Sequence, residues 1–466
     1  MKKRLLSALL AAAVALSLTA CGPWTVYGTP AGSDPDKPGP VPQKTPVDHS
    51  VILTTYPEQF QIPDPSDFGE DFEGYSVQWR KWREENWARS DDAVEGDVLR
   101  DYLLKTIPEF LTGTQGNEVC SPVNLYVALA MLTELTEGNS RTQLLDLLGE
   151  ESIESLRQTA ASVWNTCYRS DGAVTSIPAS SIWMDTDMEY VQKTLELLAE
   201  HYHASSYQGD MGSAELNAAL QNWLNEQTGG LLEKQAAGEG FTPDTIFALA
   251  TTLYFRAKWS NEFNPDRTEP GEFTILSPDG GTIPCEFMRS SGSANYYWSD
   301  DFSAVGRRLE NGGTMWLILP DGDVSVSRLL DDPTTMEFIL ANGEWEDSKF
   351  LTVNLWLPKF DISGKKDLCS SLQRLGIGDV FDPSVSDFTP LTQTMSGIFV
   401  SQISHAARVT IDEEGVTAAA YTVIAEAGAA MPPEEEVDFI LNRPFLFAVT
   451  AEGGLPLFMG VVQTPA

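Results

Sequence analysis

Residues able to do chemistry are few in this sequence, and their spacing argues against most reactions before any fold is considered. The four histidines are His49, His201, His203 and His405. His201-Tyr202-His203 could seed a metal site, yet no cysteine or carboxylate cluster stands beside it, so the pair reads as surface histidines at a helix end. Asp321-Gly322-Asp323 begins like a calcium loop. Ser325 then falls on the fifth position, Val326 where the turn glycine belongs and Asp332 on the twelfth, which leaves an acidic hairpin turn. Cys120, Cys167, Cys285 and Cys369 lack metal-ligand spacing and read as buried free thiols, although an exported chain permits one pairing. The sequence holds no Gly-x-Ser-x-Gly elbow, phosphate-binding loop, Gly-x-Gly-x-x-Gly after a strand or His-Glu-x-x-His. Neither an enzyme nor a metal or cofactor site is expected.

Cys21 is a different case. Lys2, Lys3 and Arg4 precede an apolar run from Leu5 to Leu18, and Leu18-Thr19-Ala20-Cys21 closes it. The run is too short to span a membrane permanently and reads as a secretory leader over 1–20. Leu-Thr-Ala before cysteine resembles the bacterial lipoprotein signal, which makes Cys21 a lipid attachment and places the chain on the extracellular face of the cell envelope; the alternative is a plain cleaved leader with an incidental cysteine. Loss of the three basic leader residues takes the formal charge from -37 to -40. So acidic a surface repels nucleic acid and sulfated polysaccharide and favours a basic partner.

The elements that must position any site follow. Ten prolines lie between Gly22 and Ser66, which denies that stretch a persistent helix or central strand and predicts an extended tether over 21–77. Residues 78–93 carry Trp79, Trp82 and Trp87 at helical spacing among Arg80, Lys81 and Arg83; this is either an interfacial helix near the anchor or, as we favour, a stripe packed on the domain. Residues 94–466 show no second linker and no repeat. Ser121-Pro122 caps a helix that runs to Gly138, Ser140 with Gln143 reads as a capping box for another ending at Gly149, and a third starts near Ser213 and stops at Gly229-Gly230. Strand-like runs are Ile246 to Phe255, Leu351 to Leu357, Ile398 to Ile411, Phe445 to Thr450 and Leu457 to Val462. Helices first and strands later predict α+β.

The segment from Ile411 to Met431 follows a strand, is rich in small and β-branched residues, and has no charge between Val416 and Ala425. Exposed, such a segment is a hazardous edge strand unless pairing is its purpose. Here the sequence resembles the serpins. The resemblance is carried by Ser121-Pro122-Val123-Asn124 through Gly149, by Leu253 to Trp259, by Leu357-Pro358-Lys359-Phe360 with Leu368 to Gly376, by Val400 to Gly415, by Asn442 to Phe447 and by Leu457 to Gly460.

The resemblance implies helices clustered in the first half, packed on a large central sheet with two further sheets, and an exposed reactive loop. It implies a monomeric suicide inhibitor of serine proteases whose cut loop inserts as a strand. By the family pattern Glu413, Glu414, Gly415, Val416, Thr417, Ala418, Ala419 and Ala420 are the hinge and inserting loop, and counting from Gly415 to Pro432-Pro433 puts the cut at Ala429-Ala430. No Lys or Arg lies between Val416 and Asn442, so a trypsin-like pocket has nothing to bind, whereas alanine suits elastase-like and also subtilisin-like enzymes. Trp259, Lys359 and Glu413 are implied as the breach, and Ser121, Thr251 and His405 as the shutter, with the Thr251 hydroxyl offered to the other two. Val416 stands where the family has Thr or Ser, and Thr251 where it has Asn, which keeps a non-inhibitory cell-surface binding protein as the alternative. Only Arg157 and Arg169 are basic between Glu150 and Asp171, so heparin activation is not expected.

Overall fold

The computed structural model describes residues 49–91, 93–111, 116–230, 240–275, 280–310, 313–401, 403–416 and 433–465. The leader, Cys21 and the loop residues Thr417, Ala418, Ala419, Ala420, Ala429 and Ala430 lie outside the described residues. Helices α1 (Phe72–Asp91), α2 (Arg100–Leu111), α3 (Pro122–Glu134), α4 (Gly138–Leu148), α5 (Ile153–Cys167), α6 (Gln192–Tyr202) and α7 (Ala214–Gln227) fall in the first half, and shorter ones follow at Val326–Asp331, Pro333–Leu340 and Cys369–Arg374. The strands in chain order are β1 (Ser50–Ile52), β2 (Glu118–Cys120), β3 (Arg169–Ser170), β4 (Thr175–Asp185), β5 (Ala204–Gly209), β6 (Phe247–Lys258), β7 (Glu269–Thr274), β8 (Thr282–Trp298), β9 (Phe302–Arg308), β10 (Thr314–Pro320), β11 (Ser348–Pro358), β12 (Phe360–Asp367), β13 (Ser404–Ile411), β14 (Gly415–Val416), β15 (Glu436–Ile440), β16 (Phe445–Thr450) and β17 (Pro456–Val462).

This is the expected α+β arrangement. An eight-stranded sheet runs β1-β5-β4-β6-β14-β13-β12 with β3 beside β4, and a nine-stranded sheet runs β15-β11-β8-β9-β10-β16-β17-β2 with β7 beside β8. The two further sheets are thus joined into one ladder by β8, which pairs with β7 up to Phe287, with β11 from there on, and with β9 at its end. Between the sheets lies α3, apolar nearly all round and buried along its length against β6 and β17. Its start is local chemistry: the Ser121 Oγ accepts from the Asn124 N–H at 3.4 Å and Pro122 needs no donor in the first turn.

Several expectations are corrected. The tether does not extend to 77: β1 pairs antiparallel with β5, the Thr54 Oγ1 donates to the His203 carbonyl at 2.9 Å, and the Gln59 and Gln61 amides hold residues 168–170. Proline forbids a central strand, not an edge strand or a segment fastened by side chains. Helix α1 begins at Phe72 rather than 78, and its stripe packs only in part. Trp82 is buried, while Trp87 is 59% exposed with the Arg83 guanidinium 4.4 Å from its ring. Helix α4 has Glu137 at its N-cap position with no side-chain cap, and Ser140 lies inside the helix with its Oγ accepting from the Asp387 N–H at 3.2 Å; Gln143 likewise accepts from Gly378 and Asp379. His203 sits at the helix end as expected but is half-buried rather than fully at the surface. It ends α6 in the left-handed region and stacks 3.7 Å from the Trp164 ring. The four described cysteines are free thiols, but Cys285 and Cys369 are only half-buried.

Candidate functional site

Where β13 ends, the chain reverses within three residues. Asp412 builds the turn: its Oδ1 accepts from the N–H groups of Glu414 and Gly415 at 3.0 and 3.1 Å, and its own N–H donates to the Gly415 carbonyl. Residues 259–263 strap this turn down. The Trp259 N–H donates to the Glu414 carbonyl at 3.0 Å, its indole Nε1 donates to the Asp412 carbonyl at 2.9 Å, and the Phe263 N–H donates to the Glu413 carbonyl at 2.9 Å.

The Glu413 carboxylate accepts from the Thr268 hydroxyl at 2.8 Å and pairs with the Lys359 Nζ at 3.2 Å; Lys359 also meets Glu286 at 3.4 Å. Burial alone would raise the Glu413 carboxyl, but the Thr268 hydroxyl, a backbone donor and Lys359 together hold it below its ordinary value. The structure therefore brings Trp259, Lys359 and Glu413 into one cluster. Glu414 points to solvent and contributes only its backbone.

Past the turn, Gly415 and Val416 form β14, antiparallel to both neighbours: Val416 stands opposite Ala257 of β6 and Ile411 of β13. A side chain at 415 has no room, since a Cβ there would lie 2.7 Å from the Lys258 Cα and against the Ala257 carbonyl. Val416 is 2% exposed and joins the main core. Among the described residues no backbone pairing joins β6 directly to β13. Below Val416 the two strands flank a slot. One lip is Leu253–Phe255, the other Ala406–Val409, and α3 adds Ser121 and Asn124.

The slot separates part of the expected shutter. Ser121 and His405 do meet: the Ser121 N–H donates to the His405 Nε2 at 3.0 Å, so the neutral ring carries its proton on Nδ1. Burial pushes this histidine down to about 4. Thr251, however, offers its hydroxyl to neither among the described residues. It accepts through its backbone carbonyl from the Asn124 amide at 3.3 Å. Thr251 and His405 each lie six positions before a residue flanking Val416, so they occupy the same level on opposite lips, beyond hydroxyl reach if two strand spacings of ~4.8 Å separate them. Asn124 was read only as part of the Ser121-Pro122-Val123-Asn124 resemblance, not for its bond to Thr251, and Thr268 went unread, having no local signal. Asp412 had one, in its spacing from Gly415.

Comparison with known proteins agrees with this geometry. A family model described as Serpin (serine protease inhibitor) matches residues 103–465. Serpin-Z2B of Triticum aestivum is 28% identical over 379 residues, covering 78% of this chain and 94% of that protein. Alpha-1-antitrypsin 1-5 of Mus musculus is 28% identical over 383 residues, covering 79% and 88%. Among solved structures, the thermophilic serpin tengpin in its native state superposes with a TM-score of 0.70 at 24% identity over 79% of this chain and 93% of that one. Thyroxine-binding globulin in complex with thyroxine does so with 0.67 at 19% identity over 80% and 99%. β1 and α1 precede the matched span. With a family model covering most of its length, this chain belongs to the serpin family.

Proposed function

We propose that this serpin is a suicide-type inhibitor of extracellular serine proteases, directed at elastase-like enzymes with subtilisin-like ones as a second class. The observation that carries the reading is the register of β14. Continued downward in that register, Ala418 falls opposite Phe255 and Val409, and Ala420 opposite Leu253 and Ala407, which are the lips of the slot. Residues 415–426 would pair along the whole of β6. The segment has the small, uncharged composition such a position requires until Glu426.

In this mechanism the protease serine attacks the Ala429 carbonyl, the Ala430 amine leaves, and an acyl-enzyme remains on Ala429. Insertion of the thirteen residues from Thr417 to Ala429, behind the two already in β14, at about 3.3 Å each then carries the enzyme roughly 43 Å. Its distorted active site cannot complete hydrolysis. Alanine at the cut and the absence of Lys and Arg from Val416 to Asn442 support an elastase-like pocket. The leader and Cys21 support a lipid tether to the outer face of the envelope; the family resemblance supports a monomer, and the acidic charge with only Arg157 and Arg169 basic between Glu150 and Asp171 argues against heparin and nucleic acid.

Mixing the chain with elastase tests this. The expected result is an SDS-stable complex and a released peptide beginning at Ala430, read by mass spectrometry. Cleavage without complex moves the chain to the non-inhibitory, surface-binding reading, and a new N-terminus more than two residues away refutes the assigned bond.

A further inference from the structure

β15 takes up the chain after the loop and lies at the edge of the nine-stranded sheet, beside β11. On β11, Leu351, Val353 and Leu355 point into the core, so Phe350, Thr352 and Asn354 leave the opposite face. Thr352 stands beside Glu436 and Asn354 beside Asp438 in the parallel register. Side chains tie three strands into this one surface: the Ser291 Oγ of β8 donates to the Asn354 Oδ1 at 2.8 Å, and the Asn354 amide donates to the Asp438 Oδ1 at 2.9 Å. The Thr352 N–H donates to the Glu435 carbonyl at 2.9 Å, so the register runs on and puts Phe350 level with Glu434.

Two features of the face call for a protein partner. Phe350 is 62% exposed, more than any other large apolar side chain described between residues 103 and 465. The free charge around it has one sign. Glu434, Glu436 and Asp438 are exposed, whereas the two cations that β8, β11 and β15 carry are engaged: Lys349 with Glu435 at 2.7 Å, and Arg289 with Glu269 at 2.9 Å and over the Trp356 ring at 3.6 Å. Position then names the partner. Glu434 lies five residues past Ala429 and so no more than ~17 Å from it along an extended chain. A protein docked at the proposed cut covers about 800 Å² of its partner, a disc of roughly 16 Å radius, which reaches this face on the leaving-group side.

We propose that the face is a second contact for the protease: Phe350 seats on an apolar spot, and Glu434 and Glu436 meet basic side chains, on the rim of the enzyme's cleft beyond the cut. The proposal rests on the reading of the loop as cut by a serine protease near Ala429, and it deepens that reading. Ala429 selects a small specificity pocket; the face selects, among enzymes that share such a pocket, those with a basic rim. It acts on docking, not on insertion.

The test sets the full chain against a basic, neutrophil-type elastase in two forms. With the active enzyme, progress curves give the association rate and gels give the yield of SDS-stable complex. With the enzyme's catalytic serine replaced by alanine, titration gives the affinity of docking alone. Phe350→Ser, and Glu434→Gln combined with Glu436→Gln, should each lower both rate and affinity about tenfold, with the yield of complex, the released N-terminus and the melting temperature unchanged. Phe399→Ser, which removes a 45% exposed phenylalanine from the segment before β13, should change neither. Rates and affinities within about twofold of wild type in both face variants overturn the proposal, and so does an equal loss in Phe399→Ser. A wild-type chain that gives no SDS-stable complex overturns the inhibitory reading instead, and its affinity for the inactive enzyme, with and without the substitutions, still decides for or against the face.

Discussion

His405 sits where a small change in protonation reaches the sheet. Its ring accepts from the Ser121 N–H and stays neutral in the fold down to about pH 4, whereas in the unfolded chain it takes a proton below about 6.5. The folded value is the lower one, so stability is whole above pH 6.5 and falls as pH drops toward 4, by up to ~3 kcal/mol. His405→Gln keeps an acceptor and removes the titration. Urea unfolding at pH 7.5 and 4.5 should therefore show a smaller loss in the variant than in the wild type, and equal losses would remove His405 from the account. Glu413, held below its ordinary value, adds its own loss only at lower pH. At the proposed cut, Ala429→Arg should redirect trapping from elastase to trypsin, because the residue filling the specificity pocket selects the enzyme. Elastase trapping that survived the change intact would place the bond elsewhere.

At the scale of elements, β14 is the part on which the proposed insertion turns. It is two residues long, held by Asp412 on one side and by β6 and β13 on both flanks, and Val416 is its buried foot. Val416→Arg would have to bury a guanidinium without a partner, which expels the foot and blocks the strand behind it. Elastase should still cut this variant, but with SDS-stable complex lost and turnover in its place; an unchanged yield of complex would sink insertion through β14. The start of α3 is a second element-scale test. Ser121→Ala removes the cap and should cost about 1 kcal/mol of unfolding free energy, measured by denaturant titration.

For the whole molecule, charge dominates. At -37 overall, the chain would attract a basic protease, the proposed partner, from beyond contact distance. The association rate with such an enzyme should fall about tenfold as salt rises from low to several times physiological strength, while the final yield of complex stays constant. Stopped-flow rates across that range decide the matter, and a flat profile would mean that steering plays no part.

What the sequence alone determined is local or compositional. The Ser121 cap, the Gly149 and Gly229 helix ends, the β16 strand and the acidic charge were all legible, because each depends on neighbours within a few residues or on counting. Ser140 and Gln143 mimicked a capping box and were misread, since Asp387, Gly378 and Asp379 claim their side chains from elsewhere in the chain. The hinge motif was readable by resemblance, but its fastening was not: Thr268 reaches Glu413 across 145 residues, and Asn124 reaches Thr251 across 127. Only the tertiary structure decided that β14 lies between β6 and β13, that β1 belongs to the sheet rather than to the tether, and that Thr251 and His405 face each other across a slot. Pairings between distant segments depend on which closures of the chain bury the most surface together, and no window of residues carries that information.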